Sequence, residues 1–512
     1  MKMSPEATKR ALNTSIIDGA FATVMGSLCG GIFLVGFALN ILDATTLQVG
    51  ILAALPVSAN MAQLLGSILI ERFGHRRRFC ICWVTLARLF WIPILLLPLP
   101  LFHGWADWRI WLLVLMVGLS SMHGSMSGVA WLGWMTDLIP PETRGRFFAR
   151  RNMIAATSGM LTTLAGGAFL NHWEVTRGRD HPLGYLILFG IGLTFGLIAS
   201  GFLARIPDPR AFPGADAKPA FTWKRLRAPI QDPNFRKLLL YAGSFMFVTQ
   251  MAGPFYAVYM IDFLEVDFSS ITLLITFATL ASLFMLRIWG PISDQLGNKP
   301  ILSVAGFAHA LIPLVWVVAQ DEIHYEALVL AHVLSGMFYA AIMLAHVNVL
   351  IKLAPEAGRS FYIAAFNTII GLSVALAPIF GGLLLDLFSG LQLQFGTWHL
   401  TPLHLLFLLS GALQILVLPL LARLQEPNAA ASRAVLMQLR NDLDPQTGIA
   451  SATDFITVRA TKTTRVLQQI DGKTDDWAAH CEARVARILD ALLPRLRKPL
   501  AFLLDQTPPP RP

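Results

Sequence analysis

Long apolar runs separated by short polar breaks fill the first 424 residues of the chain. A helix needs about 20 apolar residues to cross a hydrocarbon layer about 30 Å thick. Reading runs against breaks predicts helices over 15–42, 46–70, 79–102, 109–137, 149–172, 184–204, 236–262, 268–289, 300–319, 325–351, 361–388 and 402–423. The alternating segments of about ten residues that build a membrane barrel are missing, so the spans are read as helices. Residues 206–235, rich in Pro, Ala and charge, divide six spans from six. Past Leu424 the chain turns polar, with Cys481, Val485, Ile488, Leu492 and Leu496 at helical spacing before a PPPRP end that reads as disordered.

The predicted fold is therefore an all-α membrane protein. It has 12 transmembrane helices in two six-helix pseudo-symmetric halves, residues 1–205 and 236–424, joined by a cytoplasmic linker at 206–235. Residues 425–512 are predicted to form a C-terminal cytoplasmic helical extension, read either as a small amphipathic helix lying on the membrane or on the cytoplasmic face, or as a specific regulatory or partner domain.

Composition agrees: 55% of residues are hydrophobic and 14% charged, against about 25% charged in soluble domains. A net charge of +9 would suit a nucleic-acid binder, but the positions of the basic residues argue otherwise. Arg72, Arg76, Arg77 and Arg78 follow span 2; Arg144, Arg146, Arg150 and Arg151 follow span 4; Arg205, Arg210, Lys218, Lys224, Arg225, Arg227, Arg236 and Lys237 follow span 6. The opposite loops hold Arg109, Arg177 and Arg179. By the positive-inside rule both termini and the linker are cytoplasmic, and the partner is the lipid bilayer rather than nucleic acid. No cleavable signal peptide is evident, because the hydrophobic run after the polar start is too long. Cys29, Cys80, Cys82 and Cys481 are too few for a disulfide framework, and the Cys80-x-Cys82 pair has no ligand partners nearby.

Two polar motifs occur twice. GPISDQLGNKP, residues 290–300, aligns with the loop after span 2, so that Ser67, Glu71, Gly74 and Arg76 fall on Gly290, Asp294, Gly297 and Lys299 at an offset of 223. DLIPPETRGRFFARRN from Asp137 aligns with KLAPEAGRSFYIAAFN from Lys352 at an offset of 215. That alignment matches Leu138, Pro140, Arg144, Ala149 and Asn152 with Leu353, Pro355, Arg359, Ala364 and Asn367. Near-equal offsets at equivalent places in two six-helix blocks indicate a parallel repeat.

G-x-x-x-D-Q-x-G-N-K between spans 8 and 9, its degenerate copy between spans 2 and 3, and P-x-x-x-R after spans 4 and 10 resemble the major facilitator superfamily of secondary transporters over about residues 12–424. The first-half copy departs from the pattern at Ser67, Glu71 and His75. The resemblance implies alternating access, with Glu71 facing the start of helix 11 near Arg359 and Ser360, and Asp294 facing the start of helix 5 near Arg144 and Gly145. Arg72, Gly74, Arg76, Asp137, Gly290, Gly297 and Lys299 complete the implied cytoplasmic gate. An acid suits a helix start, where unpaired N–H groups and the positive dipole end lie, and glycines allow sharp turns. The alternative is that these residues serve topology and folding only.

The resemblance also places a solute pathway between helices 1, 4, 7 and 10. Polar side chains in those spans mark it, since they are costly in lipid: His123, Gln250, Tyr256, Tyr259, His332 and Tyr339 are the cavity candidates, with Ser120, Ser121, Ser127, Thr249 and Ser335 nearby. Asp18 and Arg88 are the candidates for proton coupling, although Ser15-x-x-Asp18 also reads as a capping box at a helix start. Met122, Met126, Met337 and Met343 accompany His123, His332 and His346, a lining that suits copper but also ordinary packing. No phosphate-binding loop and no clustered catalytic constellation occurs, which excludes an ATP-driven pump and an enzyme; neither cofactor nor resident metal is expected. The sequence thus predicts a secondary active transporter in a bacterial-type inner membrane, coupled to a proton or cation and moving a small, neutral or amphipathic organic solute. A non-transporting solute sensor that signals through residues 425–512 is the alternative, and a copper importer a minor one.

Overall fold

The computed structural model describes residues 5–73, 75–98, 106–139, 143–207, 223–320, 324–355, 359–391, 393–395, 398–427 and 429–443. Eleven helical segments among them are long and apolar enough to cross a membrane. The first set comprises α1 (Pro5–Leu28) and α2 (Gly31–Leu42), α3 (Thr46–Ser58) and α4 (Ala62–Phe73) joined by a 3-10 turn, and α5 (Arg76–Leu89) and α6 (Trp91–Leu96). It continues with α7 (Ala106–Leu138), α8 (Arg144–Arg177) and α9 (Leu183–Ala204). After the short α10 (Trp223–Gln231), the second set holds α11 (Pro233–Ala252), α12 (Phe255–Val258), α13 (Phe268–Leu296), α14 (Lys299–Ala310) and α15 (Ile312–Val318). It closes with α16 (His324–Leu353), α17 (Arg359–Phe388) and α18 (Pro402–Ala422), and α19 (Ser432–Leu443) follows. A small antiparallel hairpin, β1 (Leu393–Phe395) and β2 (Trp398–Leu400), interrupts the otherwise helical chain. Residues 1–435 form one unit and 436–512 another, of which the structure describes only residues 436–443, the end of α19. The helical pattern predicted around Cys481–Leu496 lies outside the described residues.

Local chemistry sets several helix starts. Thr45 and Gln48 form a capping box on α3, Asp232 accepts from the Asn234 and Phe235 N–H groups of α11, and Asp267 accepts from Ser270 N–H of α13. These side chains satisfy donors that have no partner within the helix. The first helix differs from expectation: α1 begins at Pro5, so Ser15 and Asp18 lie well inside it and do not cap its start.

Four spans are broken in a repeating pattern. The first breaks at Gly30 and the seventh at Gly253, 223 positions apart; the third breaks at Phe90 and the ninth at Leu311, 221 apart. Gly31 takes φ +52°, which only glycine adopts readily, and Pro254 has no N–H to continue the ladder. Pro93 and Pro313 follow the other two breaks. The repeat visible in the loops therefore recurs as kinks at equivalent depth in the helices.

The two sets meet closely at the end away from Pro5, Arg76 and Lys299. There a Cβ on Gly36 would overlap the Phe268 ring, one on Gly50 the Pro378 carbonyl, one on Gly167 the Thr272 side chain and Phe268 carbonyl, and one on Gly382 the Leu47 backbone. Thr46 Oγ1 also donates to Asp386 Oδ1 at 3.1 Å across the same seam. Without a hydrophobic drive between helices in lipid, such close packing is the main source of attraction. Edge-on aromatic pairs back the seam within the first set, with Phe37 and Trp91 at 5.3 and 5.4 Å from Phe189, and Phe33 stacks across it on Phe268 at 6.2 Å. Gly167→Val forces a branched side chain against backbone there and is expected to cost about 1–3 kcal/mol. It should lower the thermal midpoint and raise the labelling of a cysteine placed at Thr46; an unchanged midpoint and labelling rate would show that the seam is not close-packed.

Candidate functional site

Between the two sets, a cavity of about 720 Å³ lies against the helix breaks. Gly26, Cys29, Gly30 and Gly31 of the first break and Gly253 and Pro254 of the seventh form part of its wall. Trp91, Tyr256, Trp316, His309, His332, Ser121 and Ser335 add its aromatic and polar surface. No Asp, Glu, Lys or Arg lines it among the described residues. Its size is that of a small-molecule site. Tyr256 stacks on Trp316 at 4.5 Å, with Phe407 at 4.6 Å behind it, and Trp316 lies 5.4 Å from the His332 ring, so three of the lining rings are contiguous.

Of the six cavity candidates, the structure brings Tyr256 and His332 to this wall. Tyr259 is fully buried elsewhere: its hydroxyl donates to Ala319 O at 2.9 Å and accepts from His404 Nε2 at 2.7 Å. His123 stacks on Trp83 at 4.9 Å while its Nδ1–H donates to Leu119 O at 2.7 Å. Tyr339 stands 6.1 Å from the His309 ring, behind the wall, and Gln250 lies beside Gly253 at the break. His309, Trp316 and Trp91 were not anticipated, because they belong to spans 9 and 3 rather than to the four expected to line the pathway. A histidine inside the apolar run around residue 309 was the available signal. Among the described residues no three His, Cys, Asp or Glu side chains gather as metal ligands.

A second polar group lies inside the first set. Asp18, 4% exposed, pairs with Arg151 at 3.9 Å and interacts electrostatically with Arg88, itself 5% exposed. Arg88 Nη1 donates to Ser200 Oγ, and Arg151 donates from Nε to Ser15 O at 3.3 Å while its guanidinium rests 4.2 Å from the Trp131 ring centroid. Gly19 leaves room for that guanidinium, since a Cβ there would overlap it. Two cations share one buried acid, so all three charges lose hydration and are offset only by one another and by the hydrogen bonds to Ser200 and Ser15.

The described gate candidates lie at the start of α5, the end of α13 and the start of α14. Gly74 lies outside the described residues, as do the side chains of Glu71, Arg72, Asp137, Arg144 and Arg359. Arg76 is exposed at the start of α5 with its guanidinium beside Gly133 of α7. Asp294 is exposed on the last turn of α13, with no hydrogen bond or ion pair among the described residues. A Cβ at Gly290 would meet open space, whereas Gly297 takes φ +87° and ends α13.

Beyond that turn, an acid that sequence reading passed over holds the motif. Glu426, buried after α18, accepts from Asn298 N–H and Nδ2, from Lys299 N–H at 2.6 Å and from Lys352 Nζ at 2.9 Å. Lys299 Nζ in turn donates to Ala422 O and Leu424 O at the end of α18. A capping side chain is normally local in sequence; this carboxylate arrives from 127 positions away, at the orphan N–H groups of α14. Burial opposes the Glu426 charge, but the hydrogen bonds from Lys299, Lys352 and Asn298 outweigh it and hold the carboxyl below the ordinary glutamate range. A depressed value means that the stabilisation is present at neutral pH and lost as pH falls through that value. Glu426→Gln is therefore expected to lose about 1–3 kcal/mol at neutral pH. The gap to the parent in thermal melts should close as pH drops below about 4; a gap independent of pH would contradict the assignment.

A family model described as Major Facilitator Superfamily matches residues 19–318 and 238–467. The fold is similar to that of the nucleoside transporter NupG, with TM-score 0.59 and 12% identity over 82% of this chain and 98% of that one. It is similar to a bacterial homolog of the human lysosomal transporter Spinster in an inward-facing, unoccupied conformation, with TM-score 0.60 and 15% identity over 85% and 99% of the two chains. The inward-open xylose transporter XylE from E. coli gives TM-score 0.54 and 13% identity over 84% and 98%. Curated protein sequences yield no match.

Proposed function

This chain belongs to the Major Facilitator Superfamily and is a secondary transporter of the membrane, not an enzyme, and we propose that it carries a small uncharged organic solute through the central cavity by alternating access. The observation that carries the substrate reading is the cavity at the helix breaks, whose described lining bears no charge. In this reading α3 and α4 together make a further span, giving 12 in two six-helix halves, residues 1–205 and 236–424, joined by the linker at 206–235. The termini, linker and tail face the cytoplasm of a bacterial-type inner membrane, following the distribution of Lys and Arg. The glycine-backed seam is then the external closure, and the end bearing Glu71 and Asp294 is the one that opens to the cytoplasm. When that end closes, Glu71 and Asp294 clamp the starts of α17 and α8, with Arg72, Gly74, Arg76, Asp137, Arg144, Gly290, Gly297, Lys299 and Arg359 around them. Asp18, set between Arg88 and Arg151, is the coupling group: protonation releases a cation from its pair and shifts the balance between the two states.

Spin labels on Arg78 and Gln295 read one end of the molecule, and labels on Asp43 and Ser389 the other; all four positions are exposed. Two populations with opposite changes at the two ends are expected in liposomes, and Asp294→Asn should shift their ratio toward separation of the Arg78–Gln295 pair. One fixed distance at each end under every condition would rule out the carrier reading.

Coupling has its own readout. The population ratio should respond to pH in the parent protein, and Asp18→Asn should abolish that response while both populations persist. A pH response that survives the substitution would assign coupling elsewhere.

A further inference from the structure

The protonation pattern of the cavity histidines follows from their neighbours. Ser410 Oγ donates to Val248 O at 2.7 Å, so its oxygen is left to accept from Gln414 Nε2 at 3.2 Å. That bond turns Gln414 Oε1 toward His309 Nδ1, 2.9 Å away. An amide oxygen only accepts, so Nδ1 of His309 carries the proton and Nε2 keeps a lone pair. His332 reaches the same state more directly, because Nδ1 lies 2.8 Å from the Leu328 carbonyl. Both rings line the cavity, and neither Nε2 has a partner among the described residues. Two other histidines of this set differ. His404 accepts at Nδ1 from Thr401 N–H and donates from Nε2 to Tyr259, while His346 is buried away from the cavity wall.

We propose that the site selects an uncharged, ring-bearing solute with hydroxyl or N–H donors. Its ring lies on the Tyr256–Trp316 pair, and its donors meet the Nε2 atoms of His309 and His332. Gln414 and Ser410 are positioning residues that hold His309 in the accepting tautomer from outside the cavity. A charged solute would shed its hydration without a counter-charge on the described wall. A solute with acceptors alone would face two fixed lone pairs and leave them unsatisfied. Ser121 and Ser335 hydroxyls either donate or accept, so they do not discriminate. This inference rests on the carrier reading, in that the cavity is taken as the solute's site.

The test is calorimetric binding of matched pairs to the purified full-length protein: hydroquinone against 1,4-dimethoxybenzene, and indole against 1-methylindole. The donor-bearing member of each pair should bind about five- to tenfold more tightly, the ratio that one net hydrogen bond supplies. His309→Phe and His332→Phe should each bring a ratio toward one. Gln414→Leu leaves both rings in place and should lower the His309-dependent ratio while imidazole ¹⁵N shifts move that ring from the Nδ1–H form to mixed tautomers. It carries the test if a phenylalanine variant fails to fold. The inference is overturned if methylated and donor-bearing members bind equally, if none of the four compounds binds, or if the ratios survive in the variants. Spin-label alternation is measured without any solute, so intact alternation beside any of these results would sink the selectivity while leaving the carrier standing.

Discussion

Close approach at glycine, with no room for a Cβ, is the constraint on which this architecture depends. At four places along the seam, Gly36, Gly50, Gly167 and Gly382, a helix of one set comes so near a helix of the other that a Cβ would overlap it. In lipid the apolar surfaces gain little by meeting, so attraction comes from dispersion at short range and falls quickly with separation. A seam made this way is tight when closed and weak when displaced by a methyl group. That is the property a rocking interface needs, and it leaves the volume beyond it free for a cavity.

The cavity owes its form to broken helices. Where α1 passes into α2 and α11 into α12, glycine and proline interrupt the ladder at equivalent depth in the two sets, and both interruptions face the same space. Irregular backbone at membrane depth is tolerated where it lines such a space. Among the described residues no charged side chain lines it. The buried acid Asp18 is held within the first set by Arg88 and Arg151, and Glu426 is held at the rim of the second by α14 and Lys352. The wall is left with aromatic rings, hydroxyls and imidazoles whose hydrogen bonds decide what they present.

Glu426 and the GNK turn show how one motif divides its work. Gly297 makes the turn because its φ is positive, and Asn298 and Lys299 turn their N–H groups to the carboxylate while the Lys299 side chain ties down the end of α18. Asp294, on the helix that leads into the turn, stays exposed and uncommitted within the described residues. The motif thus joins a turn held by a buried carboxylate to an exposed acid one turn before it.

Helix existence and the starts of α3, α13 and α18 were legible in the chain. Each depends on residues within a few positions of one another: an apolar run of sufficient length, a Thr or Asp at an N-cap, a proline in the first turn. The same local reading misplaced the start of α1, because Ser15 and Asp18 mimic a cap inside a helix that the preceding residues continue. What the chain alone did not contain was which polar side chain meets which. His309 took its role from Gln414, 105 positions away, and Asp18 from Arg151 across the bundle. Glu426 took its role from the start of α14 and Tyr259 lost its place on the wall to His404; such pairings are decided only when distant helices pack, since burial and a partner, not residue type, set what a polar group in a membrane protein does.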